Sequence, residues 1–210
     1  NPYFNLSKIL THIRHSEKVF IMKKLLLILI LTFSFQSWTK ADDVRDLEIE
    51  GMSLGESLLE FFDERTIKKG IRNHTYADDT FFDVEIYGHK SFNKYQNVSF
   101  SLKKNDKKYK IYQIVGFNIY ENNIEECLNQ VDIISKNISG VLKDTDKVKS
   151  TDNHEGDPTG NSKVKQIVYW HKSGSVFIEC VNWSEKITKE KNWGDNLSVG
   201  MALSEYDIWL

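Results

Sequence analysis

The sequence predicts an α+β domain, an antiparallel sheet of about six strands built from two helix-plus-three-strand units with the helices on one face. Three observations predict it. Apolar residues recur at spacings of three and four over 53–69 and again over 123–141. The segments after each of these stretches change to a period of two. Ser173-Gly174 separates two runs rich in β-branched and aromatic residues, the signature of a two-residue hairpin.

The first helix is expected over Ser53 to Lys69, where Leu54, Leu58, Phe61, Phe62 and Ile67 share a stripe. Ser53 with Glu56 three residues on resembles a capping box, and Lys68-Lys69-Gly70 supplies a basic last turn and a stop. Two half-buried strands follow. Phe82, Val84 and Ile86 alternate with polar neighbours, as do Val98, Phe100 and Leu102. A four-residue turn at Lys104 to Lys107 would set Leu102 opposite Tyr109 and Phe100 opposite Ile111, and the third strand continues through Ile119. The second helix begins at Asn122 or Asn123, with Glu125 and Glu126 in its first turn. Its stripe of Ile124, Cys127, Leu128, Val131, Ile134, Ile138 and Val141 turns Cys127 inward.

Lys143 to Lys163 is polar throughout and reads as a long exposed loop. Val164 to Lys172 and Ser175 to Trp183 then form the hairpin. Leu197 to Leu203 gives a last strand, and Ser204 starts a closing turn that ends at Trp209.

The N-terminal fifth reads differently. Met22-Lys23-Lys24, the apolar run Leu25 to Phe35 and the polar stretch closing on Thr39-Lys40-Ala41 have the three-part layout of an export signal. Eleven apolar residues fall short of the roughly 20 that cross a bilayer. The expected division is therefore 1–21 as translated upstream sequence, 22–41 as a signal peptide cleaved near Ala41, and 42–210 as a single domain, periplasmic or secreted, with no stable membrane insertion. Of the 28 basic and 30 acidic side chains, six basic and one acidic lie in 1–41, so the remainder carries a net charge of −7. That balance disfavours nucleic acid as a partner, since phosphate neutralisation needs a basic surface.

Two cysteines in an exported chain are expected to pair. A two-residue turn sets Ile167 against Cys180, Tyr169 against Ile178 and Trp170 against Phe177. Cys180 then lies on the aliphatic face that the second helix would cover, so a Cys127–Cys180 disulfide is expected, the other arrangement being two buried thiols. The opposite face carries Trp170, Phe177 and Trp183, a candidate binding face for a protein, a glycan or an apolar ligand unless another segment, such as Lys186 to Asn196 with Trp193, folds over it.

Catalytic and cofactor patterns are weak. Gly51-Met52-Ser53-Leu54-Gly55 matches the G-x-S-x-G nucleophile elbow, yet no strand-helix units precede it, and a cap explains Ser53. Asp144, Asp146, Asp152, His154, Glu155 and Asp157 lack calcium-loop spacing, and His74, His89, His154 and His171 are dispersed, so no metal site is drawn. No phosphate loop or dinucleotide fingerprint suggests a cofactor.

The leader, the segment Leu47-Glu48-Ile49-Glu50-Gly51-Met52-Ser53-Leu54-Gly55-Glu56-Ser57-Leu58-Leu59, Glu121-Asn122-Asn123-Ile124-Glu125-Glu126-Cys127 and Val181-Asn182-Trp183-Ser184 together resemble small exported proteins of AT-rich marine bacteria. That resemblance implies a periplasmic location and no particular activity. A looser likeness, of fold alone, is to outer-membrane assembly lipoproteins and beta-lactamase-inhibitor-like modules, although no lipidation Cys follows the apolar run. The expected function is a non-catalytic binding or interaction domain of the cell envelope, its partner a protein or envelope component. The alternative is an envelope hydrolase.

Overall fold

Eight antiparallel strands form one continuous sheet in a computed structural model that describes residues 41–72, 78–121 and 123–210. The strands are β1 (Ile71–Arg72), β2 (Phe81–Tyr87), β3 (Asn97–Lys103), β4 (Ile111–Ile119), β5 (Asp146–Asn153), β6 (Lys163–His171), β7 (Gly174–Asn182) and β8 (Asn196–Leu203). The helices are α1 (Glu64–Gly70), α2 (Ile124–Val141), α3 (Glu185–Lys191) and α4 (Ser204–Trp209). The sheet order β1-β2-β3-β4-β8-β7-β6-β5 is two four-strand meanders joined in the middle, β4 against β8. The expected class therefore stands, but each unit has one strand more than the sequence suggests.

Both extra strands are edges. β5 runs through the segment expected to be a loop, and seven of its eight residues are exposed; both residues of β1 are exposed. A strand with no buried side shows no alternation to read, and charge along an edge discourages pairing with other chains.

The first expected helix is also divided. Its first half is a pair of turns and a 3-10 turn at Leu58–Glu60, and only Glu64–Gly70 is α-helical, capped by Asp63 accepting the Thr66 N–H at 2.7 Å. Gly55 has φ +90, and the Gly55 and Leu58 N–H groups donate to the Ile111 and Tyr109 carbonyls, so the backbone around 55–58 pairs with the approach to β4 instead of coiling. Half of the capping box forms: the Ser53 N–H donates to Glu56 at 2.8 Å, whereas the Ser53 hydroxyl donates to the Leu47 carbonyl at 3.0 Å. α2 agrees with expectation, its cap being Asn123, which accepts the Glu126 N–H. Asn122 lies outside the described residues.

Registers shift in both hairpins, and in β4 the faces change too, since past the bulge Ile114 takes the core face and the expected run of Val115, Phe117 and Ile119 falls on the other side. Leu102 faces Ile111 and Phe100 faces Ile114, with a bulge between Ser101 and Leu102. The turn before β4 is longer than four residues because Asn105 and Tyr109 both take positive φ. In the second hairpin Ile167 faces Ile178, Tyr169 faces Val176 and Trp170 faces Ser175, a slip of two from the expected register. The turn is Lys172-Ser173, and Gly174 is the first strand residue instead of a turn residue. A slip of two preserves parity, so Ile167, Tyr169, Val176, Ile178 and Cys180 share the buried face as expected.

That face is the core. Val84, Ile86, Val98, Phe100, Ile114, Leu197, Val199 and Met201 continue it across the sheet, and α1, α2 and the segment before α1 pack on it. The helices do not all lie there. α4 closes one end of the opposite face, where Tyr206 and Trp209 pack on Phe81 at 5.1 and 4.7 Å and Asp207 accepts from the Ser175 hydroxyl at 2.8 Å. Phe81 and Ser175 both alternate away from the core face, so a second helix-covered patch exists that periodicity did not reveal.

The Cys127–Cys180 disulfide is present, with Cα atoms 6.0 Å apart. Residues 1–40 lie outside the described residues, and with them the expected upstream segment and all of the signal peptide but Ala41. Ala41 itself is core: it is 4% exposed, its N–H donates to the Val141 carbonyl at 3.0 Å, and it pairs with Leu142 just past α2. The expectation that Ala41 is cleaved away with the leader and has no part in the core is contradicted by that packing. Among the described residues no helix is long and apolar enough to cross a membrane.

Candidate ligand-binding cleft

A cleft of about 580 Å³ opens on the core face between α2 and the chain at Leu47–Ile49. Its floor is Val176, Leu197, Val199 and Met201, and Ile134 and Ile138 of α2 form an apolar wall. Polar groups stand at the rim: Tyr95, Asn118 and Tyr120 on one side, Gln130 and Asn137 of α2 on the other, with Lys94 and Glu48. An apolar body with a few convergent polar groups is the usual make-up of a small-molecule site.

Each wall has its own local cause. The disulfide pins the first turn of α2 to β7, and Leu197 of the floor pairs with Cys180. On the other side, Glu50 and Gly51 take positive φ, and the Ile49 and Met52 N–H groups exchange bonds with each other's carbonyls at 3.0 Å, a tight reversal. That reversal aims Glu50 at the loop before β3, where its carboxylate accepts the Asn93, Lys94 and Tyr95 N–H groups at 2.8, 2.6 and 2.8 Å. Held by its main chain, Tyr95 lays its ring on Gly116 of β4, where a Cβ would sit 2.5 Å from the ring. Gly116 is thus the space that Tyr95 fills.

The electrostatics follow from this packing. Burial pushes the Tyr95 hydroxyl up to about 12, with Glu50 and then Tyr120 adding to the shift. Burial would raise the Glu50 carboxyl too, but the three N–H bonds outweigh it and hold the group below its ordinary value. The two shifts act at opposite ends of the pH scale. Tyr95 is neutral in the folded state when the unfolded chain already ionises near 10, so its contribution is present below pH 10 and falls as pH rises toward 12. In an absorbance titration at alkaline pH, one tyrosine is expected to ionise about two units late, and Tyr95→Phe should remove that late step. Glu50 contributes above the unfolded carboxylate range and loses that contribution in acid. Glu50→Gln should keep the fold while raising hydrogen exchange at the Asn93, Lys94 and Tyr95 amides several-fold; unchanged exchange there would show that the carboxylate does not hold the loop.

The sequence-predicted candidates separate into three places. Trp170, 47% exposed, lies diagonally from half-buried Phe177 on the face away from the core. Trp183 is at the other end of the hairpin, just beyond β7, where it contacts His154 at 4.2 Å and Trp193 at 4.7 Å between ring centroids. The three aromatic residues share a face by parity but do not form one patch.

Ser53 has no histidine among its hydrogen-bond partners and is spent on Leu47 and Glu56. Among the described residues no group of three or more His, Cys, Asp or Glu is placed to hold a metal ion. In the polar segment Asp157 is structural: buried, it accepts from the Thr159 and Ser162 N–H groups and from the Thr159, Ser162 and Ser184 hydroxyls, all within 2.9 Å. Those hydroxyl and N–H donors hold its carboxyl well below the usual range, against a smaller opposing effect of burial. Its contribution is complete above about pH 4 and is lost as pH falls below that. Asp157→Asn should lower the melting temperature by several degrees at neutral pH and flatten the acid limb of the stability curve.

The floor and helix wall of the cleft come from faces that the sequence marks as buried, but its rim was not legible there. Tyr95 and Tyr120 fall between predicted elements, and the Glu50-Gly51 reversal carries no short-range mark beyond its glycine. No protein-family model, curated protein or solved structure matches the chain.

Proposed function

We propose that this protein is an exported, non-catalytic binding domain of the cell envelope that holds a small amphipathic molecule in the cleft beside α2. The observation that carries the reading is the cleft's composition. An apolar floor of about four side chains and an apolar helix wall face a rim of phenol and amide groups, with Glu48 and Lys94 as its only charges among the described residues. Such a rim can hydrogen-bond a polar head while the floor takes a hydrocarbon body, and it supplies no paired acid and base for hydrolysis. The disulfide and the predicted leader support an oxidising, extracytoplasmic setting.

The test is titration with a fluorescent amphiphile, 1-anilinonaphthalene-8-sulfonate, followed by displacement with lysophospholipid and fatty acid. Ile134, half-buried on the wall, can be enlarged: Ile134→Trp should fill the cleft and weaken probe binding at least about tenfold while the melting temperature stays within a few degrees. Equal binding by the filled variant would overturn the reading.

One observation favours the hydrolase alternative. The exposed Ser139 hydroxyl lies 3.0 Å from the Tyr169 hydroxyl and 3.1 Å from the Lys147 ammonium, which also donates to Ser135 at 2.8 Å. A serine beside an amine can act as a nucleophile once that amine is neutral. Covalent labelling of Ser139 by a fluorophosphonate, abolished in Lys147→Met, would favour that reading over binding alone.

A further inference from the structure

A second groove, with a volume of about 470 Å³, lies between the end of β4 and α3, and it takes Ile119 and Glu121 from the stretch that gives Asn118 and Tyr120 to the cleft. Its distinguishing residue is Trp193, 43% exposed although it sits in a packed aromatic row. Asn192 ends α3 in the left-handed conformation with φ +57, which turns the chain so that Trp193 meets Trp183, and Trp183 in turn contacts His154. Trp183 leaves its buried indole N–H without a partner, so no side-chain hydrogen bond fixes that ring and stacking positions it. Its main-chain N–H donates to Asp195 at 2.8 Å, which anchors that carboxylate beside the two rings. The rest of the lining is Ile119, Glu121, Glu185, Thr188, Asn192 and Gly194, and its one cation among the described residues, Lys189, is engaged by Glu185 at 3.1 Å. The groove therefore offers one open indole face surrounded mainly by hydrogen-bond acceptors.

We propose that this groove binds a neutral glycan, a pyranose ring lying its C–H face on Trp193 while its hydroxyls donate to Glu121, Asp195 and Asn192. Sugars join these two requirements, a flat weakly polar face and a ring of hydroxyl donors, and few other ligands do. An organic cation is the competing ligand for aromatic and acidic groups, but cations are held best when several rings surround them. Here Trp183 lines the groove but is half-buried between its two neighbours, so the exposed ring face is chiefly that of Trp193. The groove shares no lining residue with the cleft, so an envelope polysaccharide held there would leave the cleft open to its own ligand.

The experiment is a titration of the whole protein with β-1,4-linked tetramers of glucose and of N-acetylglucosamine, with choline chloride as the cationic arm. The readouts are tryptophan fluorescence and the indole N–H signals in a two-dimensional NMR spectrum. A saturable response to either tetramer is expected, weakened at least about tenfold in Trp193→Ala, largely kept in Trp193→Phe, and reduced in Glu121→Gln. Glu121 is exposed, so that variant tests the rim without disturbing the fold. The proposal is overturned if neither tetramer gives a saturable response, if Trp193→Ala binds as well as the parent, or if choline saturates the groove and the tetramers do not.

Discussion

Removing the disulfide by Cys127→Ala with Cys180→Ala is expected to lower the free energy of unfolding by about 4 kcal/mol, read as a lower urea midpoint. The cross-link closes a separation of 53 residues, so its main effect is to restrict the unfolded chain. Both cysteines are at most 1% exposed, and two alanines leave small voids that add to the loss. Against a typical total of 5–15 kcal/mol, the variant should still fold at 25 °C but with a thin margin. The effect should reach the cleft as well, because the bridge fixes the start of the helix whose later turns form its wall. Amphiphile affinity should therefore fall in the variant even under conditions where circular dichroism shows it folded. Equal urea midpoints with and without reductant for the parent protein would show that the bridge contributes nothing.

Gly174→Ala is expected to cost on the order of 3–5 kcal/mol. The residue has φ +151, and a Cβ there would lie 1.9 Å from the Ala202 carbonyl oxygen, 2.9 Å from its carbon and 3.0 Å from the Leu203 Cα. All three are backbone atoms of β8, so no side-chain rotation can relieve the contact. The two strands must separate where the Ser204 N–H bonds the Ser173 carbonyl and α4 begins. Gly51→Ala is the control: it has φ +77 but nothing within 4 Å, so it should cost only about 1 kcal/mol of conformational preference. Comparable destabilisation by the two substitutions would mean that close approach of β7 and β8 is not what requires Gly174.

Gly174 also shows why part of the fold was legible and part was not. In the sequence Ser173-Gly174 reads as a turn, because glycine most often marks one. In the structure the glycine is needed by the close approach of β8, the neighbour of β7 on the side away from the hairpin, and the turn moves back by one residue. The same is true of Gly116, whose missing side chain is explained by Tyr95, and of Gly200, where the Phe177 ring occupies the space a Cβ would take. Each requirement comes from a partner distant in sequence.

Residue alternation and helical spacing by themselves determined the class of the fold, the extent of α2 and the faces of the second hairpin, and they made the pairing of Cys127 with Cys180 an expectation. These depend on periods of two and 3.6, which survive a register slip of two and an uncertain turn. Only the tertiary structure decided the joining of β4 to β8, the two edge strands, the patch under α4 and both grooves. Edge strands bury no face and so leave no period to detect. The cleft and the tryptophan groove are spaces between elements, set by where Glu50, Tyr95, Trp183 and Trp193 meet partners that no local pattern names.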